Sequence, residues 1–335
     1  MDLKQLTDIH AVSGHEQALR RALLAELKDM GLSPRIDRAG NVIVEKQGTD
    51  PNGKRVMLSA HMDEVGFIVT SCTSEGFLRI APCGGIDPRV VISKRVLVGD
   101  ELIPGVIGAM AIHLQSAADR KRVLDYSDIY VDIGAKDKEE AESKAPKGTY
   151  IAFDTDYVLF GDGFVSAKAL DDRVGIYTIL RLLKEDFPCT IAAAFTSQEE
   201  VGCRGGQAAA FGIAPDIGIA LEGTTCNDLG DVPATAQVCN AGQGVCVSFM
   251  DRASIANRDL FRKTVEIGDA QQIPYQIKRG VAGGNEGGVM QRTRAAVPTV
   301  VLSVPCRYIH SPSSVCKLSD IDSQFLLAKA LLKTL

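Results

Sequence analysis

Residues 190–206 read TIAAAFTSQEEVGCRGG. The apolar run TIAAAFTS (190–197) ends in two adjacent glutamates, Glu199 and Glu200, and a glycine-rich turn leads into the helical pattern RGGQAAAFG (204–212). A near-continuous apolar strand that turns into a helix belongs to a sheet buried on both faces, the arrangement of α/β proteins. The same stretch poses a chemical question. Two neighbouring carboxylates repel each other unless a cation or a shared proton lies close by.

The pattern recurs outward from this stretch. RVMLSAH (55–61), IGIALE (217–222) and TVVLSV (299–304) read as further apolar strands, and NVIVEK (41–46) as another. VGIYTILRLLKED (174–186) and SDIDSQFLLAKALLKTL (319–335) read as helices. Near the start, Ser13 and Glu16 have the spacing of a capping box that opens EQALRRALLAELKDMG, with Gly31 as the stop. His15–Glu16 also matches the first half of a zincin motif, but no second histidine follows, so the pair is assigned to the helix cap. Between 66 and 163 the texture changes. Short strand-like pieces (FIVTSC, FLRIAP, RVLVG, GVIGAM, IYVDIG) are broken by glycine and proline, which predicts a small β-rich insert, a barrel. The expected division is residues 1–66 with 164–335 as one α/β unit, interrupted by an insert over 67–163.

Composition narrows the function. The 335 residues are 45% hydrophobic and 24% charged, with a net charge of −5. The densest charge cluster, KDKEEAESK (136–144), mixes signs, so no basic face is available for nucleic acid. No apolar run approaches the roughly 20 residues that span a bilayer, and the acidic N-terminal stretch lacks the apolar core of a secretory signal. Nine scattered cysteines without a CxxC pair suit reduced, buried thiols. These features predict a cytoplasmic protein with no nucleic-acid or membrane partner.

Polar residues gather where the strands end. RVMLSAHMD ends in His61 and Asp63, TIAAAFTSQEE in Glu199 and Glu200, IGIALE in Glu222, and TVVLSVPCRYIH reaches His310. Asp171 and Asp172 stand just ahead of a helix, where the dipole favours negative charge. In open α/β sheets, ligands bind beyond the carboxyl ends of the strands. Each feature alone has a plainer reading as a loop histidine, a helix cap or a turn flank. Together, two histidines and several carboxylates on one sheet edge suit a pair of divalent cations such as zinc, cobalt or manganese. Roughly 3.5–4 Å apart, such cations generate a hydroxide at neutral pH and hold a tetrahedral intermediate. One glutamate of the 199–200 pair would then bind metal and its neighbour act as general base. A serine-hydrolase elbow, a dinucleotide fingerprint and a Walker A sequence are absent. A glycosidase carboxylate pair would leave both histidines unexplained, and the chain has no tryptophan to stack on a sugar.

The motifs AHMDEVGF, KALDDRVG, TSQEEVGCRGG, ALEGTT and RYIHSP resemble, in order and spacing, those of the M42 family of dinuclear metallo-aminopeptidases, the glutamyl and tetrahedral aminopeptidases among them. The resemblance implies a phosphorylase/hydrolase-like three-layer α/β sandwich with a buried mixed sheet and an inserted PA-like β-barrel used in dimerisation. It implies removal of N-terminal residues from short peptides and two divalent metals per subunit, zinc first, with cobalt or manganese as alternatives. It also implies a homo-oligomer built from dimers, up to a tetrahedral dodecamer. Carried over by position, His61 and Glu222 match ligands of the first metal, His310 and Glu200 ligands of the second, and Asp171 the bridging ligand. Glu199 matches the general base, and Asp63 the acid that orients His61. Glu222 stands where many members carry aspartate, and Glu286 in GGNEGG (283–288) where many read the aspartate of a GGTD-like sequence. A deacylase or carboxypeptidase built on the same two-metal site, or a non-catalytic metal-binding scaffold, are the alternative functions. Arg204, Arg279, Arg292 and Arg294 are candidates for an acid-selective pocket.

Overall fold

Each apolar run assigned above to the α/β unit forms a strand in the computed structural model, which describes residues 1–335. The chain opens with α1 (Leu3–Asp8) and α2 (Gln17–Asp29), followed by β1 (Arg35–Ile36), β2 (Val42–Lys46) and β3 (Arg55–His61). Leu19, Leu23 and Leu27 of α2, spaced four apart, are buried as one stripe. Ser13 does not cap this helix. Its hydroxyl donates instead to Asp63 at 2.6 Å. Glu16 occupies the cap position without a side-chain cap bond and accepts from the Gly14 N–H at 2.7 Å. The capping-box expectation fails because the helix begins at Gln17, which puts Ser13 three residues ahead of the cap position and beside Asp63 instead.

The sheet body is interrupted after β3. Strands β4 (Gly66–Cys72), β5 (Leu78–Cys83), β6 (Arg95–Val98), β7 (Ile103–Ala109), β8 (Ile129–Asp132) and, after α3 (Lys138–Lys144), β9 (Tyr150–Phe153) close into a six-stranded barrel in the order β4-β5-β8-β7-β6-β9. Phe67, Val69, Leu78, Val96, Ile107 and Phe153 help to fill it, in a cluster separate from the core of the body.

The chain then returns through β10 (Val158–Phe160), β11 (Phe164–Ala167), α4 (Leu170–Leu182), β12 (Thr190–Thr196), α5 (Arg204–Ile213), β13 (Ile217–Thr225) and β14 (Val245–Ser248). It closes with α6 (Arg258–Gln271), β15 (Tyr275–Ile277), α7 (Glu286–Gln291), β16 (Thr299–Cys306), β17 (Ser314–Lys317) and α8 (Leu318–Leu332). Eight strands form one mixed sheet in the order β1-β2-β12-β3-β13-β16-β14-β15, and β10, β11 and β17 form a small separate sheet. The four central strands are parallel. Alternation along β12 shows how both faces are buried. Ile191, Ala193 and Phe195 join the cluster shared with α2, α4 and α8, whereas Ala192 and Ala194 meet α5 and α7 on the other side. No helix is long and apolar enough to cross a membrane.

Candidate metal centre

Register brings the site together. Thr196 pairs with His61 across β12 and β3, and Ala220 pairs with Ser59 across β13 and β3, which sets Glu222 level with His61. β3 and β12 therefore end at this height while β13 and β16 run three residues further, so Glu222, within β13, meets His61 and the residues just beyond β3 and β12. Asp171 and Asp172, joined by a cis peptide bond, have non-helical backbone angles at the start of α4. His310 lies in the loop after β16, in the left-handed region with φ 56°.

Asp171 occupies the middle. Its Oδ1 lies 3.4 Å from His61 Nε2 and its Oδ2 3.5 Å from His310 Nε2. Glu200 Oε2 is 3.3 Å from His310 Nε2, and Glu222 Oε2 and Glu199 Oε2 are 3.8 and 3.9 Å from His61 Nε2. Both imidazoles are oriented from behind. His61 Nδ1 is 2.9 Å from the Asp63 carbonyl, and His310 Nδ1 is 3.1 Å from the Gly85 carbonyl of the barrel. A carbonyl only accepts, so each Nδ1 carries the proton and donates, and in the neutral ring each Nε2 holds a lone pair. Those lone pairs face a carboxylate that also only accepts, and Asp171 Oδ1 is buried without a hydrogen-bond partner. Something positive belongs between them.

The Asp63 side chain fixes the second half of the site. Its Oδ1 accepts from the Glu199 N–H at 2.9 Å, and its Oδ2 from the Glu200 N–H at 3.1 Å as well as from Ser13. The Glu286 N–H reaches Glu222 Oε1 at 3.3 Å.

The electrostatics record the same demand for positive charge. Burial pushes Glu200 up to about 8 against the pull of His310. Glu222 is raised well above its ordinary value by burial and by Asp172, and Glu199 is raised by burial and by Asp171, with His61 opposing. Burial disfavours charge on the histidines, yet Asp171 and its neighbours overcome it, holding His61 well above its usual value and His310 at about 9. The two imidazoles in turn hold Asp171 far below the carboxylate range despite its burial. In the absence of a metal, protons on the imidazoles supply the missing charge; a divalent cation does so without them.

The donor set therefore fits metal. Ligand atoms of His61, Asp171 and Glu200 lie within 4.8 Å of one another, as do those of His61, Asp172 and Glu222. All seven residues singled out from the sequence, His61, Asp63, Asp171, Glu199, Glu200, Glu222 and His310, converge here. Asp172, whose spacing marks only a helix start, also belongs to the site: its carboxylate accepts from the His61 N–H at 3.2 Å and the Gly175 N–H at 3.0 Å. Cys203 was not singled out either, although it follows Glu199 by one glycine turn. The four arginines have local partners: Arg204 reaches Gln198, Arg279 the Ala234 carbonyl and Asn240, Arg292 the Gly288 carbonyl, and Arg294 the Phe211 carbonyl.

The family model for M42 glutamyl aminopeptidases matches residues 40–327. The chain belongs to this family. The M42 chain is 33% identical to lysyl aminopeptidase of Pyrococcus furiosus, over 99% of its own length and 96% of that protein. It is 30% identical to glutamyl aminopeptidase of Lactococcus lactis, over 99% and 94% of the two chains. Among solved structures it matches the Pyrococcus horikoshii TET1 peptidase, described as assembling into a tetrahedron or a large octahedral shell, with a TM-score of 0.87 and 33% identity over 99% and 98% of the chains. The M42 chain is thus a peptide hydrolase of aminopeptidase type. Its two named enzyme relatives differ in the residue they are named for, lysyl and glutamyl.

Proposed function

We propose that the protein removes N-terminal residues from short peptides at a centre for two divalent cations, with Glu199 as the general base. The observation that carries this reading is the pair of imidazoles with their Nδ1–H groups committed to carbonyls and their Nε2 atoms turned on Asp171, whose Oδ1 has no partner. His61 and Glu222 would hold one cation, His310 and Glu200 the other, and Asp171 would reach both. Zinc heads the order of preference, with cobalt and manganese accepting the same donors. When bound, such a pair supplies Lewis acidity toward the peptide carbonyl and toward water.

The chain's own residues do the rest. Glu199 Oε2 faces the His61 side of the centre and takes the proton of the attacking water, then returns it to the leaving amine. Asp63 holds the Glu199 and Glu200 backbone so that the two neighbouring carboxylates diverge toward the two histidines. That division is our answer to the doubled glutamate. The substrate's free α-amine is anchored by the acidic groups. We also assign the barrel, Gly66–Phe153 with the insert expected over 67–163, to contacts with a second copy of the chain. Met110, Ile112 and Leu114 leave 60–70% of their surface exposed there, and the TET1 relative is described as forming closed shells.

The test is hydrolysis of a panel of aminoacyl-p-nitroanilides and their N-acetylated forms by metal-free protein and by protein reloaded with zinc, cobalt or manganese. Free-amine substrates alone are cleaved, and only after reloading. Glu199→Gln keeps its metal by elemental analysis and loses about 10²-fold or more in kcat. Wild-type turnover by that variant removes Glu199 as the base.

A further inference from the structure

We propose that Cys203 is a positioning residue for the catalytic carboxylate, donating its thiol proton to Glu199 Oε1 and leaving Oε2 as the oxygen that faces the reacting centre. The proposal deepens the reading of Glu199 as general base and rests on it. Cys203 Sγ lies 3.1 Å from Glu199 Oε1, while Glu199 Oε2 is the oxygen 3.9 Å from His61 Nε2. The two oxygens are thus divided between a donor behind and the centre in front.

The turn that achieves this is built into GC (202–203). The N–H groups of Gly202 and Cys203 both donate to the Glu199 carbonyl at 2.8 Å. Gly202, at φ 116°, and Cys203, at φ 51°, carry the chain through the left-handed region immediately before α5. The chain folds back over itself, and the side chain at 203 comes to rest on the side chain four residues earlier. Burial and the Glu199 charge push the thiol up, so it stays an S–H donor and does not become a second anion. A thiol is a weak donor, but an ionised acceptor strengthens the bond. The terminal torsion of a glutamate is broad and roughly two-fold. With nothing on Oε1, the carboxylate samples orientations in which neither oxygen is aimed. Fixing it before the substrate arrives removes that cost from the barrier.

The experiment compares wild type, Cys203→Ala, Cys203→Ser, Glu199→Asp and the double variant Glu199→Asp/Cys203→Ala, all reloaded with the same metal and assayed for kcat, KM and metal content. Cys203→Ala should lower kcat roughly five- to twentyfold, at or below the low end for a hydrogen bond to a charged group because a thiol is a weak donor, with KM within about twofold and metal content unchanged. Cys203→Ser keeps a donor and should recover to within about threefold of wild type. The aspartate arm is one methylene shorter and cannot reach both the thiol and the centre, so Cys203→Ala on top of Glu199→Asp should cost less than about twofold further. A Cys203→Ala kcat within about twofold of wild type overturns the proposal. So does an equal loss in the aspartate background, or a loss that follows metal content, since either marks a structural role. Glu199→Gln, run alongside, separates the two ideas. If it is inactive while Cys203→Ala is unimpaired, the base stands and the positioning role falls; if it turns over normally, both fall.

Discussion

Asp63 joins the ends of two strands through one carboxylate. Its backbone carbonyl accepts a hydrogen bond from the His61 Nδ1–H, and its carboxylate accepts from the N–H groups of Glu199 and Glu200 and from the Ser13 hydroxyl. Asp63→Asn keeps the size and puts an NH2 where one of those donors must bind. We expect a 10–100-fold loss in kcat/KM or in metal affinity, read by steady-state kinetics beside a chelator competition. A loss below threefold in both would mean that the two strand ends hold their own positions. The seven site residues were legible in the sequence because each sits at the end of an apolar run, just past one, or at a helix start. What was not legible is contact across the chain. Ser13 meets Asp63 across 50 residues and Asp172 meets the His61 backbone across 111. Local spacing assigned Ser13 to a helix cap and gave Asp172 no duty beyond the helix start.

At the scale of elements, a buried ion cluster ties the N-terminal segment, the end of β3 and the start of α4. Glu64 accepts from Lys168 Nζ with both carboxylate oxygens at 2.9 Å and from the Ala11 N–H at 2.7 Å, and Arg173 donates to the Leu6 carbonyl at 3.0 Å. All three charged residues are at most 2% exposed. Glu64→Gln leaves two cations buried without their counter-charge and should cost about 3–5 kcal/mol, measured by urea unfolding. Burial alone would raise the Glu64 carboxyl, but Lys168 and Arg173 outweigh it and hold it below its ordinary value. A group lowered in the folded state stabilises above its unfolded value, near 4.3, and loses that contribution as the pH falls through the folded one. Wild-type stability should therefore fall more steeply than that of Glu64→Gln below about pH 5. Equal slopes would show that Glu64 titrates alike in both states. Many elements with strong periodicity were legible from sequence; β15 and α7 were not. β15 is a short, half-exposed strand, and α7 reads EGGVMQ, a poor helix former. Tertiary contact makes α7 instead. A Cβ on Gly287 would come within 2.6 Å of Val301, and one on Gly288 within 2.6 Å of Ala253.

At the scale of the whole molecule, two separate cores meet at the candidate centre. The loop after β5 supplies the Gly85 carbonyl to His310, and Gly84, at φ 92°, leaves no room for a side chain, since a Cβ there would sit 2.7 Å from Val65 and 3.3 Å from Glu200. Gly84→Ala displaces this loop, and we expect metal on the His310 side to bind about 10–100-fold more weakly while the barrel stays folded. Unchanged affinity in a chelator titration would show that His310 needs no support from the barrel. If the exposed apolar stretch around Ile112 seats a second copy, Ile112→Asp with Leu114→Asp should lower the molecular mass seen by light scattering. An unaltered mass would place the contact elsewhere. The barrel was legible as a β-rich insert because glycine and proline punctuate its strands. Its touch on His310 was not, because a backbone carbonyl leaves no mark in a sequence.

That carbonyl has a thermodynamic corollary. If a second copy seats on the barrel, it would present Gly85 to His310 in a narrower range of positions than a barrel free in solution, so association and metal retention would be coupled, by the same amount in both directions. Chelation would then loosen the assembly as well as silence it, and dilution would leach the metal.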